Sequence, residues 1–147
     1  MNRVFRTAGI GLLALSTLAI HSRADDKAKS IEGAWRQVEQ KNGDAQEYRK
    51  FPDGMEMTDC IVGGRFIWTV VRDGKVLGLA GGRYKVEKDK WTETIEYVGG
   101  QGVPASFVGS TFDFTVKLDG DTFTKVGTIP LNGQAYKIDE RYERCKP

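Results

Sequence analysis

Apolar and polar side chains alternate along most of the chain from residue 31 onward. In the run STFDFTVKL, residues 110–118, every second position is apolar, which is typical of a strand with one buried and one solvated face. Asp-Gly and Asn-Gly pairs, the preferred residues of tight hairpin turns, separate several such runs. The pattern predicts an all-β fold of about eight antiparallel strands, either a sandwich or an up-and-down barrel. Alternation alone does not separate the two.

Two stretches lack this alternation. Residues 42–59 contain Pro52 and Gly54, and residues 98–110 are rich in glycine and contain Pro104. Both are predicted to be long connections, the first with a short strand near its end, and both would suit flaps at the mouth of a barrel. The second is not predicted to bind phosphate, because no Gly-Lys-Ser/Thr follows it.

The first 24 residues have the pattern of a secretory leader. Arg3 and Arg6 precede an apolar run over residues 8–20, and a small-residue site ends at Ala24. This predicts cleavage near Ala24 and export to the periplasm or the medium. The run is shorter than the roughly 20 residues that span a bilayer, and no cysteine follows it, so no stable membrane anchor is expected.

Residues 25–30 are polar and predicted to be a flexible lead, and residues 31–147 are predicted to form one domain. The full chain has 22 basic and 20 acidic residues. Loss of the leader's three arginines would leave 22 minus 3, or 19, basic residues and a net charge of −1. Because these charges are dispersed, the domain lacks the basic stripe that binding to nucleic acid requires.

Histidine chemistry is not expected in the mature domain. The only histidine, His21, lies in the predicted leader, which argues against Ser-His-Asp and Cys-His catalysis and against His-ligated metals. Asp119 and Asp121 flank Gly120 in a turn pattern without the further ligands of a calcium loop. No metal and no cofactor are therefore predicted.

A Gly-x-Trp motif and a distant arginine bracket the predicted strands. Gly33 and Trp35 begin the first strand, and Arg144 stands on the last, in ERYER. Together with the order of the segments between them, this arrangement resembles small exported bacterial lipocalin-like domains of the calycin group. The resemblance covers roughly residues 31 to 145. It implies an up-and-down barrel whose Trp closes one end and whose Arg packs across the ring, with no established activity.

The same pairing has a physical basis apart from the resemblance. Trp35 supplies a large apolar plate, and a guanidinium can stack on it while donating to strand-end carbonyls. Arg144 is favoured over Arg141 because it shares its strand parity with Tyr142. Gly33, Trp35 and Arg144 are therefore predicted to be structural.

The parity rule places an aromatic set inside the barrel, together with two carboxylates and one guanidinium. Because unpaired charges are costly in such a place, Glu93 and Glu140 are expected to pair with Arg144, tyrosine hydroxyls or water. The full inward set is Trp35, Gln37, Phe66, Trp68, Tyr84, Trp91, Glu93, Ile95, Tyr97, Phe112, Phe114, Phe123, Tyr136, Glu140, Tyr142 and Arg144.

This interior predicts a non-catalytic domain that binds a small, largely apolar ligand. Arg144 with a tyrosine would meet an acidic or hydrogen-bonding head, unless the carboxylates already satisfy Arg144 and meet a neutral or cationic head instead. One alternative is a filled barrel that acts as a structural or protein-interaction module, and a remoter one is a hydrolase using Glu93 and Glu140. The predicted ligand contacts are Phe66, Trp68, Tyr84, Phe112, Phe114, Tyr136, Glu140, Tyr142 and Arg144.

Cys60 and Cys145 are the only two cysteines. Thiols in exported proteins are usually oxidised, which predicts a disulfide between them. The alternative is two free thiols, because a bridge requires Cα atoms within about 7 Å.

Overall fold

The computed structural model describes residues 30–146; the predicted leader, residues 25–29 and Pro147 lie outside the described residues. Within the described range, no helix is long and apolar enough to cross a membrane. A single-turn 3-10 helix, Ala105–Phe107, is present together with nine strands. The strands are β1 (Gly33–Gln40), β2 (Arg49–Lys50), β3 (Met55–Val62), β4 (Arg65–Arg72), β5 (Lys75–Glu87), β6 (Lys90–Gly100), β7 (Thr111–Asp119), β8 (Thr122–Leu131) and β9 (Gln134–Arg144).

The strands form one closed antiparallel barrel. From β3 to β9 each strand pairs with the next along the chain, and β1 pairs with both β3 and β9. The short β2 lies outside this ring of eight, paired only with the last residues of β1. The all-β fold predicted from alternation is confirmed, and so is the up-and-down barrel that the resemblance implies. The pairing of β1 with β9 excludes an open sandwich.

Tight turns join several neighbouring strands where the sequence predicts them. Asp73 and Gly74 have φ values of 48° and 74°, and Asn132 and Gly133 have values of 51° and 78°. Two successive residues with positive φ give the turn whose twist matches antiparallel strands, and Asn, Asp and Gly are the residues that tolerate it. The connection predicted over residues 42–59 contains the short β2, and the strand predicted near its end is present as the beginning of β3 at Met55.

Trp35 closes one end of the barrel. Its side chain is fully buried, its ring meets that of Phe123 edge-on at 4.8 Å, and its indole N–H donates to the carbonyl of Ile31 at 2.7 Å. The guanidinium carbon of Arg144 lies 4.1 Å from the centre of the Trp35 ring. Arg144 also donates to the carbonyls of Ser30 and Glu32, so it holds the incoming chain across this end.

Stacked aromatic rings fill the half of the barrel next to Trp35. Phe123 lies parallel to Tyr142 at 4.2 Å, and Tyr84 lies parallel to Trp91 at 4.3 Å. Phe66 meets Trp91 edge-on. This half is a packed core, and the space in the barrel lies toward the other end.

Tyr97 is not inside the barrel, contrary to the parity prediction. The register between β5 and β6 shifts, so that Gly81 faces Tyr97 while the next residue, Gly82, faces Ile95. The bulge reverses the parity beyond Ile95. Tyr97 is therefore 44% exposed, and its ring covers Gly81 on the outer face, where a Cβ would collide with it.

Candidate functional site

A cavity of about 260 Å³ occupies the open half of the barrel, away from Trp35. Its walls are mainly aromatic and aliphatic side chains, including Trp68, Phe112, Phe114 and Ile95. Alternation along β4, β6 and β7 directs these side chains inward. The arrangement is that of an apolar pocket with a few polar groups, which is typical of small-molecule sites.

The segment between β6 and β7 covers this cavity. Val103, Pro104 and Phe107 line it from above, and the ring of Phe107 rests edge-on against Phe112 at 5.2 Å. Val103 also lies over Gly78 of β5, where an added Cβ would be only 2.8 Å from it. The glycine-rich stretch predicted to be a flap at the mouth therefore lies at the mouth.

A buried ion pair forms part of the cavity floor. The ammonium of Lys125, on β8, lies 2.9 Å from Oε2 of Glu93, on β6, and both side chains are almost fully buried. The same oxygen accepts the indole N–H of Trp91 at 2.8 Å. The ammonium also lies 4.5 Å from the centre of the Phe114 ring, a distance at which cation–π attraction contributes. Lys125 is thus held by both a carboxylate and an aromatic face.

A second carboxyl group, that of Glu140 on β9, faces the same cavity. Its Oε2 accepts the hydroxyl of Tyr142 at 2.7 Å, and the side chain of Gln37 bonds to it as well. Burial raises the pKa of Glu140 above its usual value, and the charge of Glu93 adds to this, while Lys125 and the two hydrogen bonds oppose it. Glu140 has no basic partner of its own in the part of the chain that the structure describes.

The third carboxyl group of the cluster is that of Asp59, which lies beneath the cavity floor. Burial raises its pKa to about 7, the nearby charge of Lys125 lowers it, and the charges of Glu93 and Glu140 raise it. The pKa of Lys125 is raised in turn, because these carboxylates outweigh the effect of its burial. Three carboxyl groups therefore surround one ammonium group.

Five of the nine predicted ligand contacts line the cavity: Trp68, Phe112, Phe114, Tyr136 and Glu140. The other four do not. Phe66, Tyr84 and Tyr142 lie in the packed half, where they stack on neighbouring rings.

Arg144 lies at the closed end, bonded to Asp121 and to backbone carbonyls. It cannot meet a ligand head in the cavity, because β9 ends at that residue, on the side of the barrel away from the cavity. The predicted pairing of Glu93 and Glu140 with Arg144 is likewise wrong, since Lys125 takes that place for Glu93.

The sequence interpretation missed Lys125 and Asp59. Both were open to the parity rule, because Lys125 follows the inward Phe123 by two positions and Asp59 stands between Met57 and Ile61. Lys125 and Asp59 are buried, as are the neighbours Phe123, Met57 and Ile61. The sequence signal that could have identified them is a charged residue at a strand position whose side chain is expected to face inward.

The predicted disulfide is not formed in this structure, where Cys60 and Cys145 are both free and exposed. Cys60 pairs with Ala34 from β3, and the N–H of Cys145 donates to the Ala34 carbonyl from the opposite side. The cysteines are therefore two strand spacings apart, or roughly 10 Å. This exceeds the Cα separation of about 7 Å that a bridge tolerates.

In comparisons with known proteins, no protein family, no curated protein and no solved structure matches this chain. The closed antiparallel barrel of eight strands is compatible with a calycin-like fold.

We predict that Asp59→Asn changes how stability depends on pH. Because the pKa of Asp59 is raised in the folded state, folded Asp59 binds a proton that unfolded Asp59 has lost between about pH 4 and pH 7. Stability of the wild type should fall as pH rises through this window. The loss should be about 4 kcal/mol, from roughly 1.4 kcal/mol for each of the three or so units by which the pKa is raised.

Urea unfolding at a series of pH values measures this effect. Asp59→Asn should remove most of the slope, whereas the same change at the exposed Asp53 should leave it intact. Parallel pH profiles for the wild type and Asp59→Asn would show that Asp59 carries no such penalty.

Proposed function

We propose that this domain is an exported, lipocalin-like binding protein that holds a small, largely apolar molecule in its barrel and catalyses no reaction. The observation that carries the proposal is the cavity of about 260 Å³, walled by aromatic rings and covered by the segment from Val103 to Phe107. Barrel mouths of this kind commonly bind ligands. The Trp35–Arg144 pair supports the lipocalin-like assignment, and the leader pattern supports export.

The cavity volume limits the size of the ligand. At roughly 30 Å³ for each water molecule, the space equals about nine waters. It therefore suits a molecule of about nine or ten non-hydrogen atoms, such as one aromatic ring with a short polar chain. A long-chain fatty acid is too large to be enclosed.

The other two functions have less support. A filled barrel acting only as an interaction module would lack this space, although the half next to Trp35 is filled in that way. Hydrolysis has one favourable feature, since Glu93 and Glu140 both line the cavity. Against it, Glu93 is already bonded to Lys125 and Trp91, and the cavity does not enclose two linked sugar rings.

Ligand binding is tested by titrating the domain with small aromatic alcohols, amines and acids while recording tryptophan fluorescence. We expect at least one of them to give saturable quenching, with a dissociation constant on the order of 10 to 100 µM. Trp68 lines the cavity, so Trp68→Phe should remove most of the signal while leaving the affinity measured by calorimetry within about threefold.

A pair of matched variants locates the site. Val70 lines the cavity, whereas Val126 is exposed on the outside of the barrel. Val70→Phe fills part of the space and should weaken binding by about tenfold or more, and Val126→Phe should leave it unchanged. Absence of saturable binding below about 1 mM for every compound, or equal affinities in the two variants, would contradict binding inside the barrel.

A further inference from the structure

We infer that the cavity selects a ligand whose polar head is a primary ammonium group, held by the carboxylate of Glu140. This inference rests on the proposed function, because it assumes that the cavity binds a ligand, and it assigns the chemical class of that ligand. It reverses the acidic head first suggested by Arg144, which lies at the other end of the barrel.

The first argument is the balance of charge around the floor. Four strands contribute to it: Asp59 comes from β3, Glu93 from β6, Lys125 from β8 and Glu140 from β9, with Tyr142 beside Glu140. Lys125 is committed to Glu93 at 2.9 Å. Glu140, the other carboxylate that lines the cavity, would gain a cationic partner if a ligand ammonium group bound there.

The second argument is a shortage of hydrogen-bond donors. Buried oxygens without a partner include Oε1 of Gln37, which is an acceptor, and Oδ1 of Asp59, which is an acceptor once that group has lost its proton. The side chain of Gln37 forms hydrogen bonds with Glu140 and Gln40. The surroundings of Glu140 therefore have more acceptors than donors, and an ammonium group supplies three donors and no acceptor.

The third argument is the aromatic wall. Trp68, Phe112 and Phe114 line the cavity above the floor, and faces of such rings attract cations. Lys125 shows that this environment holds an ammonium, since its Nζ lies 4.5 Å from the centre of the Phe114 ring. An anionic head would instead be repelled by Glu140 and would have to draw Lys125 away from Glu93.

Three probes of nearly equal size separate the possibilities: 2-phenylethylamine, its neutral counterpart 2-phenylethanol, and phenylacetate. Calorimetry at about pH 8 should give the amine an affinity about tenfold higher than that of the alcohol, because a charge-assisted bond is stronger than a neutral one. Phenylacetate should bind most weakly. If the alcohol or the acid binds as tightly as the amine, the inference is wrong while the proposed function stands. If none of the three binds, both are wrong.

The variant Glu140→Gln isolates the carboxylate, because it keeps the size of the side chain and an acceptor for Tyr142. It should weaken binding of the amine by about tenfold and that of the alcohol by less than threefold. An equal loss for both probes would mean that Glu140 only shapes the cavity.

A pH series on the wild type gives a second test that needs no substitution. Burial raises the pKa of Glu140 above its usual value and that of Asp59 to about 7. Binding of a cation should therefore expel protons, and the affinity for the amine should fall as the pH is lowered from about 8 to about 5. The affinity for the alcohol should stay within threefold over the same range. A flat profile for the amine would overturn the inference.

Discussion

Replacement of Trp35 by alanine is expected to lower the free energy of unfolding by about 3 to 5 kcal/mol. The side chain is fully buried, packs against Phe123, and donates to the carbonyl of Ile31. Its loss would leave a cavity at the closed end and an unpaired carbonyl. A urea midpoint equal to that of the wild type would show that the ring is not part of the core.

The contact between Trp35 and Arg144 can be measured by a double-mutant cycle. Arg144→Ala should destabilise less than Trp35→Ala, and it should lose part of its effect in the Trp35→Ala background, because the cation–π contact contributes about 0.5 to 2 kcal/mol. Arg141→Ala is the control, since Arg141 pairs with Glu39 and covers Tyr48 instead. Strict additivity of the Trp35 and Arg144 changes would argue against the contact.

Lys125→Met is expected to destabilise the domain by about 3 to 5 kcal/mol at pH 8, because it leaves buried carboxylates without their cation. The loss should shrink toward about pH 5. The charge of Lys125 lowers the pKa of Asp59 and of Glu140, so without it these two groups stay protonated to higher pH in the folded state. The loss therefore grows over the pH range in which the folded wild type ionises them and the folded variant does not. Urea unfolding at several pH values measures both effects.

Two further variants make this result specific. The double variant Lys125→Met, Glu93→Gln removes both charges of the buried pair. It should therefore regain part of the stability that Lys125→Met alone loses. Lys117→Met changes an exposed lysine of β7 and should stay within about 0.5 kcal/mol of the wild type. A pH-independent loss in Lys125→Met, with no recovery in the double variant, would mean that the lysine acts only through its aliphatic stem.

The fold was predictable because a strand with one buried and one solvated face has apolar residues at every second position, a pattern visible in the sequence. Phe112 and Phe114, on the most regular strand, were correctly placed in the interior for this reason. Alternation alone did not predict closure, since a sandwich has the same alternation; the barrel followed from the resemblance carried by Gly33, Trp35 and Arg144, and the pairing of β1 with β9 confirms it.

Tyr97 was misplaced because a bulge adds one unpaired residue to β6 and reverses the parity beyond it. The sequence around Gly81 and Gly82 does not show where the bulge occurs.

The site was predictable in its apolar part and less so in its polar part. The aromatic wall follows from parity, but the partner of Glu93 depends on which side chains reach each other across the barrel. Arg144 was chosen because it shared an inward parity, yet it stands at the end of its strand, where it turns over Trp35. Lys125 stood on an equally inward position of β8 and was overlooked.

The most direct test of ligand binding in the barrel is a titration of the isotopically labelled domain with 2-phenylethylamine, followed by backbone amide chemical shifts. We predict saturable shifts at residues that line the cavity, including Val103, Phe112, Phe114 and Ile138, with little change around Trp35. Shifts concentrated at the closed end or on the outer face, or no saturable shifts at all, would contradict it.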